Sequence, residues 1–239
     1  MYEVKRAIVM AAGLGKRLHP VTLQIPKPLV EVNGVRMIDT IIRSLRKNNI
    51  TEIYVVAGYL QEKFACLEEE YPGLKIICNP YYDTCNNISS LYVAREYLKD
   101  VIILDGDQVI YNSDILSPHF ECSGYNCVWT EKHTREWLLS VKEGVVCSCS
   151  RSGGEKGWQL FSVSRWTAED GRKLKHFLEV EFEEKQNRQI YWDDVAMFCH
   201  PDDFKLGIRP MNASDIIEVD NLSELIALDA SYEKYAEEN

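Results

Sequence analysis

Apolar residues in the first hundred positions switch between two spacings. Ala7 to Ala11 is a continuous apolar run and predicts a buried strand, whereas Met37, Ile38, Ile41, Ile42 and Leu45 recur at helical spacing and predict a helix over Met37 to Lys47. Glu52 to Gly58 reads as the next strand, Gln61 to Glu70 as the next helix, and Leu74 to Cys78 as a further strand stopped by Asn79-Pro80. Ser89 or Ser90 is placed to cap a helix reaching Leu98, after which Val101 to Leu104 is a short, wholly apolar strand. Such alternation predicts an α/β fold with a doubly wound, mostly parallel sheet. Ligands in that fold collect beyond the carboxyl ends of the strands.

At Tyr125 the pattern changes. Tyr125 to Glu131, Trp137 to Lys142, Val145 to Ser150 and Trp158 to Trp166 are β-rich with no helix between them, which predicts a small antiparallel lid. Thr167-Ala168-Glu169-Asp170 has the form of a capping box opening a helix. Ile216 to Val219 is strand-like, and a closing helix is expected from Leu222 to about Tyr235. There is no internal repeat and no low-complexity linker. A chain of 239 residues is expected to form a single domain, 1–239, with a first part over about 1–124 and a second over about 125–239. Its polar end, Glu233 to Asn239, is compatible with a complete protein or with one module of a larger fusion.

Composition narrows the partners. Hydrophobic residues at 46% and charged residues at 27% are ordinary for a globular protein, so neither disorder nor a fibrous architecture is indicated. With 27 basic and 37 acidic side chains the net charge is −10, which opposes binding to a nucleic-acid backbone. No apolar run is long enough to cross a bilayer, and Met1 to Arg6 leads into a strand without a signal-peptide core, so a cytoplasmic protein without membrane insertion is expected. The eight cysteines are scattered and read as reduced thiols. Cys147 and Cys149 share a strand face but lack the histidine or second cysteine pair of a zinc site.

The densest chemical signal is Ala11-Ala12-Gly13-Leu14-Gly15-Lys16-Arg17, directly after the first strand, followed by Pro26-Lys27-Pro28. Small residues let the backbone approach a phosphate chain, successive N–H groups can cradle its oxygens, and Lys16 with Arg17 offsets its charge. Prolines on both sides make Lys27 a stiffly held cation. The Gly-Lys-Ser/Thr ending of a P-loop is missing, as are the third glycine and later acid of a dinucleotide site. At the end of the apolar strand, Asp105-Gly106-Asp107 offers two carboxylates suited to Mg²⁺. Glu136-Trp137, Tyr191-Trp192-Asp193-Asp194 and Glu218-Val219-Asp220 concentrate rings and carboxylates. Trp137 and Tyr191 or Trp192, with Asp193, Asp194 and Glu218, have the composition of a cage for a quaternary ammonium.

The glycine turn together with Pro26-Lys27-Pro28 resembles the signature of the sugar-nucleotide pyrophosphorylases and their relatives, and Asn86-Asn87-Ile88-Ser89-Ser90-Leu91-Tyr92 resembles a segment of bacterial CTP:phosphocholine cytidylyltransferases. This resemblance implies a Rossmann-like nucleotidyltransferase fold, with nucleotide bound by the first part of the chain and acceptor by the second. It implies that Ala11, Ala12, Gly13, Gly15, Lys16 and Arg17 embrace a nucleoside triphosphate and that Lys27 contacts the reacting phosphates. Asp107 becomes a metal ligand and Asp220 a candidate second one, although Asp220 is also placed to cap the last helix. Asn86, Asn87 and Ser89 become candidates for reading cytosine, and helix capping alone also explains the serines. The expected activity is transfer of CMP from CTP to phosphocholine with Mg²⁺ as cofactor and Lys27, Arg17 and Asp107 as the catalytic residues. A phosphate monoester is already anionic, so no general base is needed and His19 and His133 receive no catalytic role. The alternatives are the same chemistry on 2-aminoethylphosphonate or phosphoethanolamine, a sugar-1-phosphate nucleotidyltransferase, and a non-catalytic nucleotide-binding regulatory domain of a fusion protein.

Overall fold

Four parallel strands form the centre of the computed structural model, which describes residues 1–238. They are β1 (Arg6–Ala11), β2 (Glu52–Ala57), β3 (Leu74–Cys78) and β4 (Val101–Asp105), side by side in the order β4-β1-β2-β3. Their side chains alternate between two cores. Ala7, Val9 and Ala11 face Ile38, Ile41 and Ile42 of α1 (Met37–Lys47), whereas Ile8 and Met10 face Ile88 and Leu91, which begin and continue a helix on the opposite side. Helices therefore cover both faces, as expected for strands that are apolar throughout.

Besides four two-residue strands at Tyr2–Glu3, Glu31–Val32, Val35–Arg36 and His119–Phe120, the further strands are β5 (Gln108–Ile110), β6 (Gly124–Thr130), β7 (Leu138–Lys142), β8 (Val145–Ser150), β9 (Gly157–Trp166), β10 (Gly207–Pro210) and β11 (Ile216–Glu218). β9 pairs antiparallel with β4, Val163 opposite Leu104, and β6 pairs antiparallel with β9. The antiparallel strands thus do not form a detached lid. β6 to β10 extend the central strands into one nine-stranded sheet, of which only β1 to β4 and the short β6–β10 pair run parallel. β10 lies in the stretch Cys199 to Pro210, which carries no recognisable periodicity.

Several helix ends differ from expectation. Gln61 to Glu70 divides into a tight turn, Gln61–Phe64, and α2 (Ala65–Glu70). α3 (Ile88–Val93) stops short of Leu98, and neither serine caps it: Asn87 precedes the helix, and the Ser89 and Ser90 hydroxyls accept hydrogen bonds from Asn79 Nδ2 at 3.0 Å each. For α4 (Ala168–Glu179) the cap is as expected, with Thr167 Oγ1 accepting from the Asp170 N–H at 3.1 Å. α5 (Leu222–Leu228) ends at Asp229, and the chain continues in tight 3₁₀ turns from Ala230. Leu222 and Leu225 pack on Leu18, Val30 and Met37, so this last helix supports the turn after β1. Asn239, the last residue of the polar terminal stretch, lies outside the described residues.

One unanticipated pairing positions the site. β5 and β11 form an antiparallel ribbon in which Ile216 opposes Ile110 and Glu218 opposes Gln108. It carries Glu218, and Asp220 two residues later, to the carboxyl end of β4. Among the described residues no helix is long and apolar enough to cross a membrane, and all eight cysteines are free thiols.

Candidate active site

Beyond β1 the backbone turns at Gly15, whose φ of +63° favours glycine. A Cβ there would stand 3.1 Å from Thr22 Cγ2 and 3.2 Å from Lys27 Cβ, so the turn also lies tightly against the lysine segment. Thr22 Oγ1 donates to Gly15 O at 2.7 Å and holds the two together. Lys27 is only 7% exposed. Its ammonium lies 2.6 Å from Asp107 Oδ2 and 3.3 Å from Asp220 Oδ1, and Arg17 Nη2 lies 2.6 Å from the same Asp220 oxygen. Burial alone would lower the lysine pKa, but Asp107, Asp220 and Glu218 more than offset it and the pKa is raised. A cavity of 280 Å³ opens here, and Gly13, Gly15, Lys16, Arg17, Lys27, Asp107, Ala11 and Asp220 are among the residues that line it, whereas Ala12 is buried and does not.

Carboxylate oxygens of Asp105, Asp107 and Glu218 lie within 4.8 Å of one another. Burial, then mutual repulsion with neighbouring carboxylates, pushes the Asp105 and Glu218 pKa values well up. Asp107 Oδ1 is buried and accepts no hydrogen bond. Three converging carboxylates and an orphaned oxygen fit a hard divalent cation. Among the described residues no such group contains Cys147 or Cys149. Asp220 stands opposite Lys27 and Arg17, and Asn221 takes the helix-capping role, its Oδ1 accepting from the Glu224 N–H at 3.0 Å.

A second cavity, of 270 Å³, shares Arg17 and Asp220 with the first. Trp137, Tyr191, Asp193, Glu218, Asp105 and Asn87 line it. The Trp137 and Tyr191 rings meet edge to face at 5.6 Å and 88°. Trp192, by contrast, is 1% exposed and packs 6.2 Å from Tyr125 and 6.0 Å from Trp166, so it is a core residue and forms no wall of a cage. Asp194 is likewise withdrawn from the cavity: it pairs with Arg151 at 2.5 Å, and its Oδ2 accepts from the Tyr191 N–H at 3.0 Å. Burial, with the Asp194 charge adding to it, pushes the Asp193 carboxyl up to about 7 despite the adjacent Tyr125 phenol.

The three residues expected near the base have different surroundings. Asn87 lines the second cavity and its Oδ1 accepts from the Trp192 N–H at 2.9 Å. Asn86 Nδ2 donates to Gln189 O at 3.1 Å. Ser89 is buried, donating to Asn86 O at 2.8 Å, so its hydroxyl fixes this turn from beneath.

Residues 7–169 match the model of the MobA-like NTP transferase domain. The chain belongs to this family. Over 232 residues the NTP transferase is 36% identical to a 2-aminoethylphosphonate cytidylyltransferase of Lancefieldella rimae, covering 96% of this chain and 94% of the relative. It is 30% identical over 219 residues to a choline-phosphate cytidylyltransferase of Streptococcus pneumoniae, covering 92% and 94%. The solved structure of a CTP:phosphocholine cytidylyltransferase from Streptococcus pneumoniae superposes with a TM-score of 0.89 at 29% identity, over 96% of this chain and 99% of that one. The resemblance seen in the glycine turn and the Asn86 to Tyr92 segment is thereby borne out.

Two polar residues of the NTP transferase, one in the site and one behind it, carry little signal in the sequence. Ser162 lines the second cavity from β9 together with Asp105, whose pKa its hydroxyl helps to hold down. A lone serine between Phe161 and Val163 in a strand is a weak signal, since half of an ordinary strand faces water. Arg151 lies in the stretch Cys147 to Gly157, which matches no motif, and its partner Asp194 is 43 positions on (194 − 151).

Proposed function

We propose that this NTP transferase is a cytidylyltransferase that moves CMP from CTP to a small phosphonate or phosphate bearing a primary ammonium, with 2-aminoethylphosphonate as its acceptor. The observation that carries the reading is the pair of adjoining cavities with Arg17 and Asp220 in their common wall, one side basic and glycine-lined, the other acidic. A triphosphate suits the first and an ammonium-bearing acceptor the second, so that the two phosphorus centres meet at the shared wall. An acceptor oxygen attacks the α-phosphorus of CTP, the bond to the bridging oxygen of the β-phosphate breaks, and pyrophosphate leaves. The acceptor oxyanion is already deprotonated, and the protein contributes alignment and charge compensation. Lys27 and Arg17 would stabilise charge on the α-phosphate and the leaving group. Mg²⁺, when held by Asp107 with Asp105, Glu218 or Asp220, would supply further neutralisation between the phosphate groups.

The choice of a primary amine is supported by what remains of the cage. With Trp192 in the core, two rings are left beside the carboxylates of Asp193 and Glu218. A primary ammonium can donate hydrogen bonds to such carboxylates, whereas a trimethylated head depends more on ring faces. The more similar of the two cytidylyltransferase relatives also bears the name of 2-aminoethylphosphonate. The edge-to-face pair Trp137 and Tyr191 supports phosphocholine as the second reading. Charged, soluble substrates accord with the cytoplasmic location expected from the sequence. Comparing kcat/KM for 2-aminoethylphosphonate, phosphoethanolamine and phosphocholine tests the choice: a preference for the trimethylated acceptor would reverse it, and a preference for a sugar 1-phosphate would remove the ammonium from the account.

A further inference from the structure

The loop after β8 is held in one shape. Gly153 has φ +74°, and a Cβ on it would lie 1.9 Å from Thr134 O. Thr134 and Gly154 exchange both backbone hydrogen bonds at 3.0 Å, and Ser150 Oγ donates to Gly153 O at 2.8 Å. This turn presents Arg151, whose guanidinium carbon lies 4.0 Å from the centre of the Phe198 ring and 5.5 Å from that of Trp137. Its Nη2 reaches Asp194 Oδ1 at 2.5 Å. The partners differ in setting, the Asp194 side chain being 1% exposed and that of Arg151 47%. A pair of exposed charges would contribute little. Here the carboxylate is buried, and losing its cation would leave that charge uncompensated.

The contact reaches the acceptor cavity through two neighbours. Asp194 Oδ2 holds the Tyr191 N–H at 3.0 Å, and Trp137 meets both Tyr191, at 5.6 Å, and Phe198, at 5.9 Å. Trp137 and Tyr191 line the cavity, whereas Arg151 and Phe198 do not, so the guanidinium stands behind the aromatic wall. Resting on the reading of this cavity as the acceptor site, we infer that Arg151 is a positioning residue: it latches the β8–β9 loop to the Tyr191–Asp194 loop and fixes the ring pair that selects the acceptor. The protein's own cation thereby takes up the charge of Asp194 and leaves the incoming ammonium to Asp193 and Glu218.

The test combines steady-state kinetics with hydrogen exchange of the ligand-free protein. Arg151→Ala should raise KM for the acceptor about tenfold while KM for CTP stays within about twofold. Added guanidinium should restore part of the loss, and Arg151→Lys should recover less than wild type because a point charge cannot stack as the planar group does. Asp194→Asn should resemble Arg151→Ala, and the double variant should be no worse than either. Exchange should quicken over 189–194 in Arg151→Ala and stay unchanged over 13–17. Equal losses for CTP and acceptor with faster exchange throughout would overturn the inference, as would an unaltered acceptor KM with unaltered exchange at 189–194. Wild type failing to use any amine-bearing acceptor would remove the functional reading alone, and the exchange comparison would then decide the latch.

Discussion

Lys27 is buried between Asp107 and Asp220, and the proposed reaction assigns its charge to the α-phosphate. Lys27→Met keeps most of the side-chain length and removes the charge; kcat for pyrophosphate release should fall about 100-fold or more. A variant retaining wild-type kcat would take Lys27 out of the chemistry. Asp193 gives a pH signature. With its pKa raised to about 7, the carboxyl becomes an anion only near neutrality, so kcat/KM for a cationic acceptor should climb as pH rises through that value, and Asp193→Asn should flatten the profile. The sign for stability is opposite. Folding keeps this group protonated between about 4 and about 7, where the unfolded chain releases the proton, so its contribution to stability declines as pH rises through that window. The aromatic residues mark the boundary of what the sequence revealed. Trp137 and Trp192 both stand beside acids, yet one lines a cavity and the other lies under Tyr125 and Trp166, a difference made by residues far away in the chain. Trp192→Phe should therefore lower the melting temperature and leave acceptor KM nearly unchanged, whereas a large rise in KM without loss of stability would return Trp192 to the site.

Among the elements, those encoded by local period were legible and those made by distant pairing were not. Helix α1 follows from the spacing of Ile38, Ile41, Ile42 and Leu45, and β1 from its unbroken apolar run. The ribbon of β5 and β11 joins two three-residue segments more than a hundred positions apart; Ile216 to Val219 reads as strand-like, but the three residues of β5 carry too little alternation to announce its partner. Yet that ribbon brings Glu218 to Asp105 and Asp107, so the metal-fitting group was only half readable: its first two acids share a strand end, and the third arrives through tertiary pairing. Gly171 exposes a similar dependence. A Cβ at this position of α4 would stand 1.7 Å from Leu98 O, which means the two backbones meet without room for a side chain. Gly171→Ala should destabilise the protein by about 1–3 kcal/mol in urea unfolding while sparing both KM values. Unchanged stability would show that the backbones can separate at no cost.

For the molecule as a whole, the alternation of the first half gave the doubly wound core and its ligand end, while the continuity of one sheet through β9 into the antiparallel half depended on pairing across 60 positions between Leu104 and Val163, counted inclusively as 163 − 104 + 1. Net charge is a poor guide to this site. An acidic protein with a charge of −10 gathers Lys16, Arg17 and Lys27 at one turn and faces them with carboxylates, so the local field has both signs within a few ångströms. In the proposed reaction this arrangement joins a cytidine nucleotide to an ammonium-bearing phosphonate. The most direct measurement is phosphorus NMR of the protein incubated with CTP, Mg²⁺ and 2-aminoethylphosphonate, with parallel samples containing EDTA or ethylphosphonate, which lacks the amine. Resonances of a phosphonate–phosphate anhydride and of pyrophosphate should appear in the complete mixture, with little product in either control; absence of the anhydride in the complete mixture, or equal yield from ethylphosphonate, would refute the proposed reaction.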